Sequence, residues 1–304
     1  MTSTLDRPVK VTTFGGVSLR RKVANKLATV LVTASLVIAL VPLLWVLYSV
    51  IIKGFKALSS PVWFTHSQAG MTAFQAGGGV YHAVVGTLLQ GLVCAAISIP
   101  IGIMVAVFLV EYGGGTRLGK VTTFMVDILT GVPSIVAALF IYALWVATLG
   151  FQRSGFAVSL SLVLLMIPVI VRATEEMLRI VPMDLREASY ALGVPKWKTI
   201  VRIVIPTALS GIITGIMLAL ARVMGETAPL LILVGYAQAM NFDIFSGFMG
   251  SLPGMMYDQI SAGAGANPVP TDRLWGAALT LILLIAILNI GARFVARVFA
   301  PKKV

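Results

Sequence analysis

Long continuous apolar runs dominate this chain, with little alternation of apolar and polar positions. Six of them, at 27–52, 81–110, 121–149, 156–171, 201–223 and 274–298, are long enough to cross a hydrocarbon core of about 30 Å. The fourth is the shortest, and its pattern predicts a helix that continues to Glu175. Continuous apolarity excludes a β-barrel, whose strands would alternate. The pattern therefore predicts an all-α integral membrane protein with six transmembrane helices. It divides into a basic tail (1–26), a first span with an outer loop (27–80) and a helical core (81–300).

Composition agrees. Only 11% of the 304 residues are charged and 58% are hydrophobic, with a mean hydropathy of +0.98. Soluble domains carry about 25% charged residues, and a soluble globule could not hide this much apolar surface. The single cysteine, Cys94, has no partner for an internal disulfide. The two histidines, His66 and His82, have no cysteine cluster beside them, so neither a metal site nor a cofactor is expected. His82 opens the second run and reads as an interfacial residue. The polar, basic first twenty residues lack a signal-peptide core, so the internal runs are expected to direct insertion.

The net charge of +12 is distributed by topology. With the N-terminus inside, eighteen of the 23 Lys and Arg residues fall on the inner side. Lys53, Lys56, Arg153 and Arg273 fall outside, and Arg222 lies in a span. The positive-inside rule then places both termini in the cytoplasm. Nucleic acid is not needed to account for the charge; contact with acidic lipid headgroups is a by-product.

Two connections are longer than a turn requires. The outer one, 236–273, contains SGFMGSLPGMMYDQI, apolar enough to fold back as a short helix against a partner, then the loop SAGAGANPVP. The inner one begins at Arg172 and includes VPMDLREASYALGVPKWKTIVRIVIP (181–206). There Asp184 reads as a helix N-cap, and Leu185, Ala188 and Leu192 share one face. Gly193 suits the left-handed position after the helix, and Pro195 the first turn of the next. Such a short amphipathic helix is not needed for packing inside the bilayer. It can dock in a groove of another protein, or lie on lipid.

In the same stretch, Glu187-Ala188-Ser189, three residues, Gly193, nine residues and Ile203-Val204-Ile205-Pro206 resemble the EAA motif of ABC importer permeases: E-A-A, three, G, nine, I-x-L-P. Ser189 replaces the second alanine and Ile205 the leucine. GGGVYHAVVGTLL, LTGVPSIVAALF and ARVMGETAPLL extend the likeness over roughly 75–300 to the membrane subunits of bacterial phosphate importers. This resemblance implies a type I ABC importer permease fold in the bacterial plasma membrane, with a cytoplasmic coupling helix between spans four and five. It implies that Asp184, Leu185, Glu187, Ala188, Ser189, Leu192 and Gly193 meet an ATP-binding subunit. It also implies a sibling permease subunit, two copies of the ATP-binding subunit, an extracytoplasmic phosphate-binding protein, and inorganic phosphate as substrate.

The stretch LALARVMGETAPLL (218–231) puts Arg222 and Glu226 in an apolar run. A charge in the bilayer centre costs about 2.5–3.5 kcal/mol on insertion scales, so such residues usually face a protein interior or a water path. On an ideal helix Ala208, Gly211, Gly215, Arg222 and Glu226 fall within an arc of roughly 60°. Gly225 and Pro229 are expected to bend or unwind the helix there. Two readings stand. The pair either fixes helix packing by neutralising itself, or lines a path. In the second reading the arginine fork holds an oxyanion and Glu226 accepts a proton-bearing P–OH, which sulfate lacks at neutral pH. The resemblance favours the path, since this arginine and glutamate belong to the family's motif.

Arg172 either reaches the inner interface or contacts phosphate from inside. Glu175 and Glu176 are expected to pair with nearby bases, and Asp127 to serve as a structural hydrogen-bonding group. Thr130, Ser134 and Thr227 can offer hydroxyls to an oxyanion or bond their own backbone. Gly114–Val121 nearly spells a phosphate-binding loop, but Val121 replaces the needed hydroxyl and a membrane helix stands where a strand should. With no Ser/His/Asp or Cys/His set, intrinsic catalysis is not expected. A permease for sulfate or molybdate, or a proton-coupled secondary transporter, are the rivals; the latter would show internal repeats, and none is evident.

Overall fold

The computed structural model describes residues 18–299, and the side chains of 18–294 among them. The described residues fall into two compact units, divided between Ser49 and Val50. Helix α1 is Leu19–Leu58. Within the first unit its apolar side chains are exposed on all sides, Leu31, Ile38 and Trp45 among them, as suits a helix whose neighbours are lipid or other chains.

In the second unit the helices are α2 (Tyr81–Val107), α3 (Arg117–Thr130), α4 (Ser134–Ile141), α5 (Gly155–Ile180), α6 (Met183–Ala191) and α7 (Lys196–Thr199). They continue with α8 (Ile205–Met224), α9 (Ala228–Leu233), α10 (Leu252–Ser261) and α11 (Pro268–Phe299). Short π-helical turns extend α2 (Phe108–Tyr112) and α4 (Tyr142–Thr148), and one joins α7 to α8 (Ile200–Val204). Five continuous helices are long and apolar enough to cross a membrane, and α3 with α4 makes a sixth if counted as one span. That third run is not straight. It bends by 105° at Gly131-Val132-Pro133, where Pro133 can donate no backbone hydrogen bond and its ring clashes with a continuing helix.

Helix α5 is the centre of the bundle. Its Val158, Leu162, Met166, Ile170 and Val171 are buried against α2, α8, α3 and α4. Between helices in lipid the attraction is van der Waals contact, so small residues at crossings set how close backbones come. At Gly102 of α2 a Cβ would stand 2.6 Å from Ile170 Cγ2; at Gly215 of α8 it would stand 2.5 Å from Ala173 Cβ. Gly211 admits Met177 in the same way.

Two expectations are corrected. The fourth helix does not stop near Glu175. It runs through Pro168 to Ile180, so Arg172 belongs to it and the connection begins at Val181. The outer helix α10 folds back on this chain's own helices: Leu252 and Met255 are fully buried against α2, α9 and α11, and Gly86 leaves room for the Gly250 carbonyl.

Candidate functional site

Two regions carry the side chains singled out above. The first is the break after α8. The helix ends at Met224 with Gly225 as its C-cap, and Thr227 precedes α9, whose first turn holds Pro229. Glu226 therefore lies in the middle of the three-residue break, off the face an unbroken helix would give it. The glycine half of that face abuts α5, whereas Arg222 is exposed. Among the described residues Arg222 and Glu226 make no ion pair with each other or with any other group. The self-neutralising reading thus lacks its contact.

Glu226 is half-buried and lines a cavity of about 10 Å³ with Thr87, Gln90, Gly91, Val223 and Ser251, close to the least room a water needs. Gln90 is 3% exposed, and its Nε2 has no partner among the described residues. An unpaired buried donor costs about 1–3 kcal/mol. Sequence reasoning passed over Gln90; a lone glutamine inside an apolar span was the available signal.

Arg172 is partnered. It pairs with Asp127 of α3 and, at 2.8 Å, with Glu175, which also takes Arg179 at 2.7 Å. Glu175 is thus held by two bases as expected, while Glu176 is exposed and in no ion pair among the described residues. Thr130 bonds its own helix at Val126 O, 2.8 Å. Thr227, the N-cap of α9, makes no side-chain cap bond, and Ser134 opens α4 directly after its N-cap Pro133. The stretch 114–121 is a turn leading into α3, with Thr116 accepting from Gly119 N at 2.9 Å.

The second region is the connection from α5 to α8. Asp184 is not the cap: Pro182 is, and Asp184 sits in the first turn of α6, where a carboxylate meets the positive end of the helix dipole. The helix ends as expected. Gly193 has φ +75°, and its N–H reaches Tyr190 O at 2.9 Å while Val194 N–H reaches Ser189 O at 3.2 Å, the Schellman pattern of a helix C-terminus. Pro195 caps α7. Asp184, Leu185, Glu187, Ala188 and Leu192 are all exposed, Leu192 by 83%, and so is Trp197 beyond the bend. Ser189 and Arg186 face inward. Among the described residues nothing covers the apolar ridge.

Three charged or polar groups hold positions that sequence reading missed. His82 is buried within the chain: it is 2% exposed and bonds Tyr236 Oη at 2.8 Å. Tyr236 in turn donates to Gln68 Oε1 at 3.1 Å. Burial first, then the nearby Asp258 charge, pushes the Tyr236 phenol up, and burial also raises the Asp258 carboxyl. Arg273 is buried and clasped by the carbonyls of Thr72, Gln75 and Gly77. Arg186 forms a buried pair with Glu111 at 3.0 Å.

A bundle of spans, one of them broken, with an unpaired charged junction and an uncovered amphipathic loop, defines a multi-pass membrane transport component. The family model for the binding-protein-dependent transport system inner membrane component matches residues 98–304, and the chain belongs to that family. It is 57% identical to phosphate transport system permease protein PstA 1 of Mycobacterium tuberculosis strain H37Rv, over 96% of this chain and 94% of that one. It is 38% identical to PstA of Pasteurella multocida over 93% and 96% of the two chains. Among solved structures, the inward-facing MetNI methionine ABC transporter covers 73% of this chain and 94% of its own at TM-score 0.56 and 18% identity. A bacterial alginate ABC transporter covers 91% and 98% at TM-score 0.60 and 16% identity. These two show the fold, that of a type I ABC importer permease.

Proposed function

We propose that this chain is a permease subunit of an ATP-driven phosphate importer in the bacterial plasma membrane. It has both ends in the cytoplasm and forms the phosphate path together with a sibling permease subunit. The observation that carries this reading is the junction after α8: among the described residues Arg222 is exposed and in no ion pair, and Glu226 shares a small cavity with an unpartnered Gln90 amide, in a chain 57% identical to PstA 1 of Mycobacterium tuberculosis. Arg222 attracts and orients the oxyanion through its donor fork. Glu226 accepts a hydrogen bond from the P–O–H that phosphate retains at neutral pH, and repels an anion with none. Thr227 offers a hydroxyl at the same turn. Arg172, held by Asp127 and Glu175, lines the inner part of the path.

The uncovered face of α6 supports docking to an ATP-binding subunit, with one copy for each permease half. Leu185, Ala188 and Leu192 enter its cleft, Glu187 and Asp184 lie beside it, and Ser189 and Gly193 hold the bend. An extracytoplasmic phosphate-binding protein delivers the substrate from the other side. ATP is hydrolysed in the partner, since the chain carries no catalytic set of its own.

The test is uptake of labelled phosphate into vesicles holding the complete complex, with and without ATP. Uptake should require ATP and should fall on Arg222→Gln. Glu226→Gln should admit sulfate. Unaltered phosphate uptake and sulfate rejection in Glu226→Gln would sink the assignment of that residue, and ATP-independent uptake the assignment of the chain.

A further inference from the structure

Glu111 and Arg186 stand 75 residues apart and have no part in the function proposed above, yet the fold buries them together. Glu111 lies in the π-helical turn that ends α2, and Arg186 on α6. Arg186 donates from Nη2 at 3.0 Å and from Nε at 3.2 Å to Glu111 Oε1. Its other donors reach Val181 O at 2.7 Å and Leu178 O at 3.0 Å, at the end of α5. Lys196, just past the bend, donates to the Glu111 carbonyl, and its ammonium lies 4.7 Å from the Tyr112 ring centroid. The end of a helix leaves carbonyls unsatisfied and carries partial negative charge. Here that end also bears a carboxylate, and the loop meets it with two cations.

A buried ion pair is a weak source of net stability, because desolvation offsets most of the attraction. What it supplies is position: two hydrogen bonds from one planar guanidinium fix where α6 stands against α2. Further toward its N-terminus, at Gln90 and Gly91, α2 meets the junction after α8. Gly91 brings a Cβ position to 3.4 Å from Met224 Cγ, and Gln90 shares its cavity with Glu226. The helical path from Gln90 to Glu111 is about 30 Å at 1.5 Å per residue.

We propose that α2 is the rod that carries movement of the docking loop to the Arg222–Glu226 junction, and that the Glu111–Arg186 pair is the linkage at its inner end. Both are positioning residues; neither touches the transported anion. The inference rests on the loop being the site where ATP hydrolysis is felt. It supplies a contiguous packed element between two sites, and a shift of that element is what the experiment below reads.

The experiment uses the complete complex in vesicles, with spin labels on Leu92→Cys of α2 and Leu218→Cys of α8 in a Cys94→Ala background; both leucines are exposed. The parent should show a change in label separation between the resting and ATP-bound states. In Glu111→Gln that change should be lost while the ATP-binding subunit still co-purifies and hydrolyses ATP. Phosphate moved per ATP should fall about tenfold, the size of an ordinary coupling free energy between sites. An undiminished label movement in Glu111→Gln overturns the proposal. If that variant does not assemble, Glu111→Asp, which keeps the charge but withdraws it by one methylene, is read the same way. A parent that moves its labels but takes up no phosphate counts against the substrate reading alone.

Discussion

Ser189 Oγ lies 2.8 Å from Thr199 Oγ1, and both hydroxyls are buried. Ser189 stands where the EAA motif has its second alanine, and Thr199 ends α7, so the contact ties the two helices of the loop across the bend at Gly193. Ser189→Ala restores the alanine and removes this bond. Thr199 keeps a longer bond to Pro195 O at 3.4 Å, so the loss should be about 1 kcal/mol, the usual net value of one hydrogen bond. Thermal unfolding of the purified complex should show a drop of a few degrees with transport retained, whereas Ser189→Leu, which must overfill a closed contact, should abolish docking of the ATP-binding subunit.

Gly193 has φ +75°, and a Cβ there would meet nothing within 4 Å. Its requirement is therefore backbone conformation alone. Gly193→Ala should weaken binding of the ATP-binding subunit by about 1–2 kcal/mol, the left-handed penalty for a residue with a side chain. Gly193→Asn should cost less, because asparagine visits that region more readily. Gly193→Pro also deletes the N–H that reaches Tyr190 O and should abolish association. Pull-down titration orders the three; equal losses for alanine and asparagine would show that the side chain, not the backbone, is at fault.

The spans could be read from the sequence because lipid demands long, internally bonded helices, and no other pattern satisfies that demand. The bend at Gly193 was equally legible, since a local rule governs it. Asp184 was misplaced by two positions because Pro182, with no donor to lose, took the cap. What stayed hidden was pairing at a distance. Glu111 and Arg186, His82 and Tyr236, and Arg273 with the carbonyls of 72–77 are brought together only by the packing of α2, α6, α10 and α11, and no spacing along the chain announces them. The junction after α8 lay between these cases. Its charges and its breakers were visible, but the helix ends before Glu226, which removes the shared face that an unbroken helix would give.

Gln90→Leu separates a functional amide from an idle one. The Gln90 side chain forms no hydrogen bond among the described residues, and leucine is close to it in volume. Replacing an unpaired buried amide by an apolar group of similar shape should leave stability unchanged or raise it by about 1 kcal/mol. Phosphate uptake should nonetheless fall, because the donor that shares the cavity of Glu226 is gone. A variant that is less stable than the parent would show that the amide is partnered in the fold; a stable variant with full uptake would remove Gln90 from the path.

The crossing of α5 and α8 tests whether close approach there is purely steric. A Cβ on Gly215 would come within 2.5 Å of Ala173 Cβ, and neither backbone can retreat without opening the buried contacts of Ile212 and Ile170 on either side. Gly215→Ala should therefore destabilise the chain by about 1–3 kcal/mol, as overpacking does. Ala173→Gly removes the opposing methyl and makes room for the new one. Its own cost is about 0.5–1 kcal/mol for glycine inside a helix. The double variant Gly215→Ala with Ala173→Gly should recover most of the loss from the first change, so the two effects are non-additive, as expected for residues in contact. Thermal unfolding of the three variants beside the parent decides it. If the double variant is no more stable than Gly215→Ala alone, the crossing is held by something other than the fit of one methyl group into the space left by another.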